Sequence, residues 1–185
     1  MKPYLTLMPR VLRLDPAVFR EIRDAGLALW ACVVNVALFG LFYGLSAVHF
    51  SGRMLDTANP ETGAAFNPLA VVLVGVSVAF LMHGGGALFI WVFCRGMGGT
   101  QHFMGPYLNL GVAAIALWPL APALGAIQSG QASIVMQFWA VFATLYGAAV
   151  AYVAVREVAG LSDVKMAAAA AATVGYVGCF LYLWL

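Results

Sequence analysis

Apolar residues run along this chain in long unbroken blocks, and charge is confined to the gaps between them. No Asp, Glu, Lys or Arg occurs from Ala25 to Gly52, from Thr62 to Cys94, from Gly96 to Val155, or from Met166 to the end. About 20 apolar residues in a helix cross the hydrocarbon core of a bilayer. The third block is long enough for two crossings and is divided by the polar turn Ile127–Ser133. The pattern therefore predicts five transmembrane helices: Leu27–His49, Pro68–Cys94, Pro106–Ile127, Ile134–Val155 and Met166–Leu185. The predicted fold is all-α, a polytopic membrane bundle, with the third and fourth helices forming an antiparallel hairpin.

The first 26 residues have a different rhythm. In "LDPAVFREIRDAG", Asp15 suits an N-cap and Pro16 a first helical position, while Val18, Phe19 and Ile22 share a face opposite Arg20, Arg23 and Asp24. This predicts an amphipathic interfacial helix, apolar side down in the headgroup region or docked under the bundle. Domain organisation follows: a cytoplasmic arm over 1–26 and one membrane domain over 27–185. The outer loop "SGRMLDTANPETGAAFN" carries no motif.

Composition agrees, with 64% hydrophobic and 9% charged residues against roughly a quarter charged in soluble domains. Charge placement adds the orientation. Lys2, Arg10, Arg13, Arg20 and Arg23 precede the first span, Arg95 follows the second, and Arg156 and Lys165 flank the loop after the fourth. The positive-inside rule then puts the N-terminus in the cytoplasm and the C-terminus outside, leaving Arg53 alone on the outer side beside Asp56 and Glu61. No cleavable signal is apparent. The net charge of +2 reflects topology and does not suggest a nucleic-acid partner. Cys32, Cys94 and Cys179 lack metal-type spacing and read as packing residues.

The two cytoplasmic loops, "FCRGMGGTQHFMGPY" and "AVREVAGLSDVKMA", share a design. Arg95 and Arg156 close the outgoing helices, Gly99 and Gly160 follow four residues later in positive-φ positions, and Thr100 and Ser162 precede the next helices as caps. With Lys165 they form candidate interaction loops for protein partners, while Arg10, Arg13, Arg20 and Arg23 offer the arm to lipid headgroups or partners.

Candidate chemistry centres on "FLMHGGGALF". His-Gly-Gly-Gly supplies oxyanion-hole amides in some esterases, but no serine here lies in a Gly-x-Ser-x-Gly elbow, so that mechanism is excluded. His83 remains as a mid-membrane polar residue, with Gly84, Gly85 and Gly86 expected to break the helix or admit a close crossing. Asn35 differs from His83 in depth by only about 5 Å, which makes a shared polar contact the expected midplane site. A packed, neutral histidine is the expectation, and a proton or ligand role the alternative. Pro119 and Pro122 in "LWPLAPALG" predict a kink in the third span. Gly40/Gly44, Ala143/Gly147, Gly147/Ala151 and Ala171/Gly175 favour close helix packing within one copy or in a homo-oligomer. A metal site from His83, His102, Met82, Met97 and Met104 is separated by depth, so neither metal nor cofactor is expected. With no paired carboxylates and no nucleophile–base pair, neither is an enzyme.

Three stretches resemble the Yip (Ypt-interacting protein) domain family of five-span membrane proteins. They are "LRLDPAVFREI", "LFIWVFCRGMGGTQHFMGPYLNLGVAAIALWPLAP" and "VAVREVAGLSDVKMAAAAA". The last resembles a loop of the form Gly-x-Arg-x-x-x-Gly-x-Ser-x-x-Lys-Ala, from which Val155 and Met166 depart. The resemblance implies an N-in, C-out bundle. In eukaryotic members it implies binding of prenylated Rab-type GTPases in endoplasmic reticulum–Golgi traffic, partly through a cytosolic N-terminal region longer than the arm here. The Gly- and Ala-rich, compact chain looks like a bacterial member in the plasma membrane. The function expected is a non-enzymatic scaffold organising membrane partners or lipids. The alternative is a small channel or transporter with a midplane path past His83.

Overall fold

A computed structural model of the chain describes residues 2–58 and 67–184. Residues 1, 59–66 and 185, which include Glu61 of the loop between the first two expected spans, lie outside the described residues. The elements are α1 (Lys2–Leu12), α2 (Pro16–Asp24), α3 (Ala28–Ala58), α4 (Pro68–Gly96), α5 (Met104–Ala113), a 3-10 turn (Ala114–Leu117), α6 (Leu120–Gln128), α7 (Ile134–Ala159) and α8 (Asp163–Trp184). Among the described residues, three helical stretches are long and apolar enough to cross a membrane: Ala28–Gly52, Pro68–Gly96 and Ile134–Ala159. Met104–Leu117 and Leu120–Gln128 pass only as a pair bent by 74°, which gives up to four spans if the pair is one broken span. The helix Asp163–Trp184 lies where the fifth span is expected and is not among them.

Local chemistry explains the helix ends. Asn67 caps α4 by accepting from the amides of Leu69 and Ala70, and Ser133 caps α7 by accepting from Met136. Asp15 accepts from the Ala17 amide, and Pro16 occupies the first position of α2. At the far end of α7, Gly160 takes φ 65°, the left-handed conformation that lets the chain leave a helix and turn back. Between α5 and α6 the axis bends by 74°. The 3-10 turn tightens the helix just before Pro119, whose ring cannot donate to the preceding turn. Pro122 lies in the first turn of α6, where the missing donor costs nothing.

Small residues set the helix approaches. A Cβ on Gly44 would lie 2.7 Å from the Val72 Cα, and one on Gly75 would lie 2.9 Å from the Gly44 Cα, so α3 and α4 cross backbone to backbone. Gly111 on α5 admits Cys32 of α3, whose Sγ would stand 2.1 Å from an added Cβ.

The N-terminal residues form two helices where the hydropathy pattern indicated one. α1 carries an apolar stripe at helical spacing, Tyr4, Leu7, Met8 and Val11, of which Tyr4 and Val11 are buried and Leu7 and Met8 pack against the same core. Val18, Phe19 and Ile22 of α2 are fully buried with Val112, Ile115, Val150 and Ala154. Of the two seats expected for α2, its apolar face takes the one against the bundle, because α5 and α7 offer a close-packed apolar surface there.

Candidate functional site

Two groups of described polar residues bear on the expected sites. The first lies at the end of the bundle that carries the loops after α4 and α7. There the Glu157 side chain is only 4% exposed, although it sits in the last turn of a membrane helix. α7 continues past Val155 to Ala159, so the expected span end was one turn short and a carboxylate lies within the helix. Its oxygens accept from Arg23 Nη1 at 2.8 Å, Arg20 Nε at 3.1 Å and Asn109 Nδ2 at 3.3 Å. Asn109 also donates to the Ala154 carbonyl at 2.8 Å. One carboxylate thus ties α2, α5 and α7 together. Pairing with Glu157 raises the Arg23 guanidinium pKa above its ordinary value. A second cluster fastens α1 to α2: Arg10 donates to Asp15 at 2.8 Å and reaches both oxygens of Glu21. The Arg10 guanidinium holds both carboxyls below their usual range.

The two loops meet one another. The Thr100 amide donates to the Ala159 carbonyl at 2.9 Å, and Lys165 Nζ donates to the Met97 carbonyl at 2.8 Å. Gly99 makes this possible, because a Cβ there would lie 2.7 Å from the Ala159 carbonyl oxygen. Its role differs from the expected positive-φ stop, which Gly98 fills with φ 89°. Thr100 Oγ1 accepts from the His102 amide at 3.3 Å, and α5 begins after Phe103 without a side-chain cap. Ser162 immediately precedes α8, and Arg156 pairs with the exposed Asp163. Arg95 lies over the Trp91 ring, 5.2 Å from its centroid. Arg13 is exposed and has no ion pair among the described residues.

The second group surrounds Asn35 and His83, and here the expected contact is absent. Asn35 is fully buried and donates to the Tyr4 hydroxyl at 2.7 Å and to the Val112 carbonyl at 3.0 Å. His83 meets Cys32 instead, with 3.4 Å between Nε2 and Sγ, and its ring packs on Tyr107 at 4.6 Å between centroids. Cys32 and Asn35 lie one turn apart on the same face of α3, both beside Gly111 of α5, so the level at which α4 crosses that face decides which of them His83 meets. The three glycines do not break α4, which runs unbroken from Pro68 to Gly96. An added Cβ on Gly84, Gly85 or Gly86 would meet nothing within 4 Å. Gly85 is exposed and Gly86 borders a cavity, so no neighbouring backbone approaches here, and the helix's own hydrogen bonds suffice in hydrocarbon. His83 and Gly86 line a cavity of about 480 Å³ whose walls are otherwise mainly apolar.

The residues that hydropathy and motif reading missed are Glu157, Asn109, Cys32 and Tyr4. Glu157 had one signal, a carboxylate directly after the arginine that closes a span. The partnerships of Asn109 and Cys32 depend on distant elements and had none. Among the described residues no three His, Cys, Asp or Glu side chains are grouped to hold a metal ion.

No curated protein and no solved structure matches the chain. The family model of the Yip1 domain matches residues 10–185. That span takes in α2, every membrane helix and both loops that meet at the Glu157 end, and this integral membrane protein therefore belongs to the Yip1 domain family.

Proposed function

We propose that the chain is a non-enzymatic membrane scaffold that holds protein partners at the end of the bundle bearing the arm and the two loops. The observation that carries this reading is the cross-linking of that end. Glu157 joins α2, α5 and α7, and the loops are bonded to each other through Thr100, Ala159, Met97 and Lys165. A surface fixed in this way offers partners a preformed shape, which lowers the ordering cost of binding. Arg13 and Arg95 project from it without a carboxylate partner among the described residues.

The proposed architecture has five spans, with α8 as the fifth. The basic residues support a cytoplasmic N-terminus and an outer C-terminus, and the compact, Gly- and Ala-rich chain fits a bacterial plasma membrane. The arm would lie at the inner headgroup level; exposed Leu5, Leu12 and Leu14 on its outward side support that seat.

The test is photocrosslinking in native membranes from residues substituted at Arg13 and Arg95. A discrete set of protein adducts, reduced by charge reversal at the neighbouring cation, is the expected result. Absence of protein adducts, together with a solute flux in liposomes that His83→Ala abolishes, would replace the scaffold with a conduit.

A further inference from the structure

The cavity beside His83 is walled by α3, α4, the 3-10 turn, α7 and α8, and small residues make it: Gly86, Ala114, Ala148, Ala151 and Ala170. Along α4 its lining extends from Ala79 to Ile90, and along α7 from Thr144 to Val155. At 1.5 Å per residue each wall is about 16 Å tall, close to the roughly 15 Å of hydrocarbon in one leaflet. Toward the loops the cavity is stopped by the cluster of Ile90, Cys94, Val155, Ala159, Met166 and Ala169. Its rim residues Thr144, Ala148 and Val174 are exposed in the middle of their helices. At that depth an exposed residue faces hydrocarbon, so the opening is lateral.

Such a space selects its occupant. Apolar cavities do not hold water, and an empty one forfeits dispersion contacts over its whole lining. The molecules at its mouth are lipid chains. Charge specifies the headgroup. Below the α7–α8 seam stand Arg156, paired with the exposed Asp163, and Lys165, which donates to the Met97 carbonyl; Arg95 closes α4 nearby, and Glu157 is buried against Arg20 and Arg23. That end is net basic, one leaflet's depth from the top of the cavity.

We propose that this cavity binds one acyl chain of an anionic phospholipid. The phosphate lies beside Arg156 and Lys165, and the chain turns inward through the flank above the sealing cluster. The site goes beyond the scaffold reading, since it requires the cavity and not a protein partner.

The test reconstitutes the full chain in phosphatidylcholine vesicles containing phosphatidylglycerol with a diazirine on one acyl chain. After photolysis, labelled peptides are mapped. Label on the Ala148–Tyr152 and Ala170–Val174 walls is expected, falling several-fold in Ala151→Phe, while label on outward-facing Phe138 and Leu145 is unchanged. Gly86→Leu fills the space from the opposite wall, where its Cβ meets nothing within 4 Å, and should give the same loss if Ala151→Phe does not fold. Equal wall labelling in wild type and both filled variants would overturn the site, as would label restricted to outward faces. Equal wall labelling from diazirine-bearing phosphatidylcholine would overturn the anionic headgroup.

Discussion

The Glu157 carboxylate accepts from two guanidiniums and one amide, and its removal leaves each of those donors to find water at a helix end. Glu157→Ala should cost roughly 1–3 kcal/mol, since breaking a buried pair is expensive but Arg20 is 67% exposed and recovers hydration. Arg20→Ala should be close to neutral for the same reason. Thermal melts in mild detergent measure both, and an unchanged melting temperature for Glu157→Ala would contradict the assignment. The glycines divide by the same steric logic. Gly111→Ala drives a methyl into Cys32, and overpacking of this kind costs about 1–3 kcal/mol. Gly85→Ala meets nothing and should be neutral or stabilising by up to about 1 kcal/mol through helix propensity. A destabilised Gly85→Ala would restore the close crossing that the three glycines suggested. What was legible at this scale was residue type and depth. Partner choice was not, because Cys32 and Asn35 share a face of α3 and are equally available to His83 until the level at which α4 crosses it is known.

The two helices of the N-terminal hairpin are joined in part through exposed ion pairs, which makes their junction sensitive to pH. Asp15 and Glu21 both titrate below their ordinary values owing to Arg10. A depressed carboxylate pKa stabilises the folded form at pH above the unfolded value, here about 4 to 4.5. That contribution is lost as pH falls through the lowered folded value. Protease cleavage between α1 and α2 should therefore accelerate below about pH 4. In the Asp15→Asn, Glu21→Gln double variant the rate should already be raised at neutral pH and flat across that window. A double variant with the wild-type profile would assign the acid response elsewhere. The α2 helix was readable from Asp15, Pro16 and its spaced apolar residues. α1 carried the same kind of signal in Tyr4, Leu7, Met8 and Val11, blurred by Pro9 within the helix and by Leu5 and Leu12 on its outer side.

For the whole molecule, the proposed orientation makes a direct prediction. A single-cysteine probe at Arg13, in a background with Cys32, Cys94 and Cys179 replaced, should react with an impermeant maleimide only after intact cells are opened. A probe at Asn67 should react in intact cells. The reverse pattern would invert the topology, and with it the side on which a partner could approach.

At every scale the sequence alone determined that long apolar segments alternate with charged loops, which loops carry positive charge, and which family the chain belongs to. Transfer into hydrocarbon and charge asymmetry are properties of contiguous segments, so a linear reading suffices. Tertiary structure alone decided that Glu157 gathers three elements, that His83 faces Cys32, that α4 passes its three glycines unbroken, and that small residues on several helices leave an apolar cavity. Those outcomes depend on helix rotation and close approach, which are set by contacts between residues far apart in the chain.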